Sequence, residues 1–198
     1  MILNNEQKEL ISKELKNLDD LNSIKFATVF TKTSGNYKLA FAMFSLVSVF
    51  IISFLLILFA YKSALELIQI QILIFVGMYL FLQKFKKFFI NFLPKSYTYQ
   101  LASRNAHNQF YNLKQDKTKQ TIMFFVSFDE KYVEIIVDDE ISKIIPNSHW
   151  QSIIDEFIVS IKDNQLVNGY VKAIIACSSI LIEKFPNNKV ESKWKRLL

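Results

Sequence analysis

Asp138, Asp139 and Glu140 form the densest run of chemistry-bearing side chains in the sequence. Hard cations such as calcium and magnesium take several oxygen ligands, and adjacent carboxylates supply some of them. The same acids also suit the start of a helix, where the macrodipole favours negative charge. Other candidates are isolated. His107 and His149 have no partner at metal-ligand spacing. Ser127 falls in a strand pattern and Ser34 in a loop, and neither has the strand-turn-helix elbow that exposes a nucleophilic serine. Gly35, Gly77 and Gly169, the three glycines, are too far apart for a phosphate-cradling loop. Cys177 is the only cysteine, which excludes an internal disulfide and a Cys-rich metal site. Arg104 and Lys114 could meet a phosphate, but no spacing joins them.

The elements that must position these residues follow from periodicity. Ile24 to Phe30 is a short apolar run suited to a buried strand, broken by Thr33, Ser34, Gly35 and Asn36. Thr121 to Phe128 is nearly continuous in apolar residues, as in the centre of a sheet covered on both faces. Asp129, Glu130 and Lys131 make a tight turn, and Tyr132 to Val137 returns with Glu134 opposite Val133, Ile135 and Val137. The three acids lie just past this strand. A first helix is capped by Asn4 or Asn5, and another runs from Tyr97 to Leu113 with Tyr99, Ala102, Ala106, Phe110 and Leu113 inward. Asn147 or Ser148 caps a helix burying Trp150, Ile153, Ile154, Phe157, Ile158 and Ile161. Asn164 caps a last one burying Tyr170, Val171, Ile174, Cys177, Leu181 and Phe185.

Two apolar runs interrupt this pattern. Leu39 to Ala60 has no ionisable side chain, and Leu67 to Leu82 has no charge. A bilayer core needs about 20 apolar helical residues. The first run clears that length, and the second does so with its neighbours. Only Tyr61, Lys62 and Ser63 stand firmly between them, so the pair reads as a helical hairpin that crosses a membrane and returns. Lys25, Lys32, Lys38, Lys84, Lys86, Lys87 and Lys95 flank its outer ends, whereas Lys62 in the turn is balanced by Glu66. The positive-inside bias then puts both termini in the cytoplasm. Lys84, Lys86 and Lys87 also form a basic cluster facing lipid, where anionic headgroups contribute about 1 kcal/mol per lysine. Gln69 and Gln71 can hydrogen-bond to the first membrane helix or to a partner. Two helices enclose no pore, and no buried charge lines one.

The formal charge is +6, mostly from lysine. No basic stripe interleaved with aromatics accompanies it, so nucleic acid is not indicated as a partner. The expected fold is a small three-layer α/β/α domain, residues 1–36 plus 95–198. The transmembrane hairpin, 37–93, is inserted between the first strand and the following helix. The first two strands are expected to be parallel neighbours through a right-handed crossover, and the last two antiparallel.

Several short motifs occur in a specific order: Phe125-Val126-Ser127, Glu130, Tyr132, Val133-Glu134-Ile135-Ile136, Asp138, Ile141, Pro146, Trp150, Gly169-Tyr170, Ala173-Ile174, Ala176-Cys177 and Phe185-Pro186. Thr33-Ser34-Gly35-Asn36-Tyr37 stands before the first membrane run. This order resembles the TPM domain family, and most closely its membrane-bound bacterial branch. The resemblance implies an α/β/α sandwich tied to a bacterial inner membrane. It does not imply one activity. Some soluble relatives are described as acid phosphatases or bind divalent metal through acidic residues and an Asp-Asn-Gly turn. Asp116 matches the acidic position, but no glycine follows it and lysines flank it; the glycine-rich turn after the third strand is likewise replaced by Asp138-Asp139-Glu140-Ile141. The resemblance therefore leaves Asp116, Asp138, Asp139 and Glu140 as the metal candidates, for calcium or magnesium, and no catalytic residue. The function expected is that of a membrane-anchored binding or accessory domain assisting another membrane protein complex. The alternative is a divalent-metal-dependent phosphatase-like hydrolase.

Overall fold

The structure is a computed structural model and describes residues 24–59, 63–114 and 120–185. The expected first helix near Asn4, the inter-run residues Tyr61 and Lys62, Asp116 and Pro186 lie outside the described residues. The chain divides into two compact units, residues 1–34 with 102–198, and residues 35–101.

The first unit is built on three strands, β1 (Lys25–Thr31), β2 (Thr121–Ser127) and β3 (Tyr132–Val137), in the order β1-β2-β3. β1 runs parallel to β2, with Lys25 opposite Thr121, and β3 runs antiparallel to β2, with Ser127 opposite Tyr132. Every residue of β2 is buried, which accounts for its unbroken apolar sequence: a strand covered on both faces has no polar side. Its alternate residues enter two different cores. Ile122, Phe124 and Val126 join Trp150, Ile153, Phe157, Tyr170, Ile174, Cys177 and Leu181. Met123 and Phe125 join Ala27, Val29, Ala106, Phe110 and Leu113. Each large side chain buried this way contributes roughly 1.5–3 kcal/mol.

Four helices accompany the sheet. In chain order through the molecule, the helices are α1 (Lys38–Phe59), α2 (Ala64–Lys84), α3 (Lys86–Phe92), α4 (Lys95–Leu113), α5 (Asp139–Ile144), α6 (Asn147–Lys162) and α7 (Leu166–Lys184). In α4, Ala102, Ala106, Phe110 and Leu113 turn inward as their spacing requires, but Tyr99 is exposed. In α6, Ile158 is exposed instead of buried, and the inward stripe narrows to Trp150, Ile153 and Phe157. The caps also differ from expectation. Pro146, not Asn147 or Ser148, precedes α6, and its carbonyl accepts from the His149 N–H. Asn164 does not cap α7; it takes a left-handed backbone, φ 58, in the turn before it. Asparagine tolerates that region better than most residues. α6 and α7 meet closely at Gly169, where a Cβ would lie 2.3 Å from Ser160 Cβ. Around this crossing, Phe124, Phe157 and Tyr170 interlock edge to face at centroid distances of 5.2 to 6.3 Å. Cys177 is fully buried, and burial pushes its thiol up to about 12.

The second unit contains α1, α2, α3 and the first residues of α4. α1 and α2 lie along each other, and Gln71 Nε2 donates to Ser53 Oγ at 3.1 Å. At one end a small core gathers Tyr37, Phe41, Leu82, Phe89 and Ile90. Tyr37 is its hub, 6.5 Å from both Phe41 and Tyr97, with Lys86 Nζ 5.6 Å above its ring. A side chain at Gly35 would collide with that ring at 2.7 Å, which gives the Gly-Asn-Tyr spacing a steric reason. Among the described residues three helices are long and apolar enough to cross a membrane: α1, α2 and α7.

Candidate functional site

The loop that leaves β1 and the turn that joins β2 to β3 meet at the same end of the sheet, because β1 and β2 are parallel. Phe128 to Lys131 forms the turn, closed by the Lys131 N–H donating to the Phe128 carbonyl at 3.2 Å. Lys131 takes a left-handed backbone, φ 52, which lets a short loop match the strand twist. Phe128 and Asp129 donate their N–H groups to the carbonyls of Thr31 and Lys32. The acids of the turn then point back into the protein. Glu130 is 4 % exposed, accepts the Ser34 N–H at 3.1 Å, and accepts from Ser127 Oγ. Asp129 accepts from Thr33 Oγ1, and Asn105 of α4 donates to the Ser34 carbonyl at 3.1 Å. Buried charge is tolerable only when it is hydrogen-bonded, and here two acids hold the β1 exit loop in place.

Asp138 stands at the opposite end of β3, about 20 Å away by strand rise. Its backbone N–H donates to the Thr121 carbonyl at 3.0 Å. Its carboxylate caps α5 by accepting the Asp139 N–H at 3.1 Å, and it is paired with Lys114. That hydrogen bond raises the Lys114 ammonium above its ordinary value. Asp139 and Glu140 occupy the first turn of α5, and Glu140 accepts from Gln120 Nε2 at 2.7 Å. Among the described residues no three His, Cys, Asp or Glu side chains gather as metal ligands. Asp116 lies outside them.

A third polar group lies on the α4 side of β3. The Tyr132 hydroxyl donates to Glu134 at 2.8 Å, and His107 Nδ1 is 3.8 Å from the same carboxylate. Burial raises the Glu134 carboxyl, opposed by Tyr132 and His107, and pushes the Tyr132 phenol up to about 12. His107 Nδ1 donates to the Ser103 carbonyl at 3.0 Å, and Ser103 Oγ lies 3.4 Å from the same nitrogen. A proton relay needs the acid and the nucleophile on different ring nitrogens. Here both approach Nδ1, so the group orders α4 against β3 and does not form a triad. His149 is exposed.

The family model of the TPM domain matches residues 90–180. That stretch of the chain is similar to a TPM domain. Within the matched stretch, Ser127 and Glu130 meet at the turn, Tyr132 and Glu134 meet on β3, and Gly169 lies where α6 and α7 cross. The chain also resembles the solution structure of BA42 protein from the psychrophilic bacterium Bizionia argentinensis, with a TM-score of 0.53 at 15 % identity over 98 % of this chain and 97 % of that one. At that identity the likeness concerns the fold. No curated protein matches the chain. Nothing in the sequence singles out Asp129, Thr33 and Asn105 as a group, since a charged turn reads as solvated. Glu130, Ser127 and Ser34 are visible through the family motif, though not their mutual contacts.

Proposed function

We propose that this protein is a membrane-anchored accessory of the membrane-bound TPM branch, in which a TPM domain is tied to the bilayer by a two-helix hairpin and holds another membrane protein complex. The observation that carries the anchoring is the outward face of α1 and α2. The apolar stretch of α1 is only 17 % buried and that of α2 only 6 %. Phe50 and Leu73 stand about three-quarters exposed. Apolar patches of that extent belong against lipid or protein, not water. α7 differs: its stretch is 39 % buried, and its inner face is the sheet core. Two spans therefore fit better than three. The TPM domain is then a three-layer sandwich, with α4 on one face of the sheet and α6 and α7 on the other, and the hairpin is inserted between β1 and α4. The lysine bias puts both termini in the cytoplasm, on the inner face of a bacterial inner membrane.

Binding is favoured over hydrolysis by how the polar groups are used. Glu130 and Asp129 clasp a loop, Asp138 caps a helix and meets Lys114, and Glu134 is held by Tyr132. Each acid serves the fold. Gln71, joined to Ser53 across α1 and α2, is worth about 0.6–2 kcal/mol in lipid and steadies the hairpin.

The test is extraction followed by capture. The full chain should stay in the membrane pellet through salt and alkali washes and dissolve only with detergent. A reporter active only outside the cytoplasm, fused after Leu198, should stay silent. Affinity capture from native membranes should return one stoichiometric membrane partner. Release without detergent, or a strong external signal, would overturn the anchoring; capture of the protein alone would overturn the accessory role.

A further inference from the structure

We propose that α3 is an interfacial helix that seats Phe88 and Phe92 at the headgroup boundary of the bilayer and sets Lys84, Lys86 and Lys87 against anionic phospholipid phosphates. The inference rests on the hairpin reading and deepens it. α2 has 21 residues, about 31 Å of helix, against a hydrocarbon core of about 30 Å. The span is therefore complete at Lys84, and the chain beyond Lys84 starts at the boundary between acyl chains and headgroups. At that point Phe85 breaks the helix with φ −99 and ψ 34, and α3 begins.

α3 is apolar on two sides, and only one of them is used. Phe89 and Ile90 enter the Tyr37 core. On the other side Phe88 and Phe92 are 75 % and 72 % exposed. Four residues apart, Phe88 and Phe92 form an exposed stripe on one face of α3, and the exposed Phe81 and Phe85 precede it across the helix break. Lys84 and Lys87 adjoin this stripe, with Lys84 Nζ 6.0 Å over the Phe85 ring. Lys86 stands over Tyr37. Large rings beside cations, directly after a completed span, match the layer where acyl chains meet phosphate. An interfacial helix buries its apolar face there about 5–10 Å deep, and anionic lipids add attraction to its lysines. Continuity with the span and the sign of the charge select lipid as the occupant over a protein groove.

The full chain is reconstituted in nanodiscs of phosphatidylcholine and phosphatidylglycerol. The probes are Phe88→Trp and, inside the span, Leu73→Trp, each read after subtracting the parent's tryptophan signal. One set of nanodiscs carries lipid brominated near the ester end of the acyl chain, another near the methyl end. Leu73→Trp should be quenched by the methyl-end bromines; if it is not, the hairpin reading itself falls. Phe88→Trp should emit at shorter wavelength than in water and be quenched about twofold more by the ester-end bromines. Water-like emission without quenching, beside a quenched Leu73→Trp, overturns the interfacial inference alone. So does stronger methyl-end quenching, and so does a shielded tryptophan that no bromine reaches, which would mark a protein partner or a second copy. In native mass spectra the phosphatidylglycerol retained by the protein should fall about fivefold for each of Lys84→Gln, Lys86→Gln and Lys87→Gln. Unchanged retention in the triple variant would overturn the headgroup contact.

Discussion

Glu130→Ala is the sharpest perturbation of the unit built on the sheet. The carboxylate is buried and accepts from the Ser34 N–H and from Ser127 Oγ. Its removal orphans a backbone donor fixed in place and a hydroxyl that can partly reorient. A buried donor left unpaired costs about 1–3 kcal/mol, and bonds to a charged group lie at the upper end. The expected loss is about 2–4 kcal/mol, or roughly 10 °C in melting temperature for a domain of this size. Ser127→Ala should cost about 1 kcal/mol, since Glu130 keeps the Ser34 N–H. Glu130→Gln should fall between, because one amide oxygen replaces two carboxylate oxygens. The assay is thermal unfolding in mild detergent followed by Trp150 emission, since Trp150 is in the sheet core, with amide exchange over residues 31–37 as the local readout. Both should respond. If Glu130→Ala melts with the parent and the Ser34 amide keeps its protection, the turn does not clasp the β1 exit loop.

Other contacts carry three more expected outcomes. Gly169→Ala should destabilise by about 1–3 kcal/mol through overpacking against Ser160, and Ser160→Gly should restore part of that in the double variant, read by thermal unfolding. Glu134 has a carboxyl raised in the fold by burial, so the folded state holds its proton more tightly than the unfolded chain. Its contribution is therefore fully present below the ordinary carboxylate range and is lost as pH rises through the raised value; Glu134→Gln should flatten that decline in a melting-temperature profile. Replacing Asp138, Asp139 and Glu140 together by asparagine should leave the calorimetric heat of calcium addition unchanged, whereas Asp138→Ala alone should cost about 1 kcal/mol as a lost helix cap.

The parts of the fold that sequence displays are those where one physical demand dominates. β2 is apolar throughout because both its faces are covered, and the six residues from Tyr132 alternate because one side of β3 meets the larger core. The parallel and antiparallel pairings follow from connection length. α3 and α5 are hidden in the sequence for opposite reasons. α3 is seven residues inside a longer aromatic stretch, and α5 is six residues whose acids resemble a metal-ligand run. The clasp at Glu130 is illegible as a contact, because its partner Ser34 is 96 residues away and comes near only through the parallel pairing of β1 with β2. Ile158 shows the reverse, since a stripe with perfect helical spacing buries less of itself than its pattern implies.

The lone thiol gives this molecule a built-in clock. Cys177 is sealed in the sheet core with its proton held far above neutral pH, so a maleimide cannot modify it while the domain is closed. Alkylation then counts openings of the core, one event per molecule, with no competing sulfur nucleophile in the sequence. The rate at which the folded protein takes up the label would time the domain's breathing.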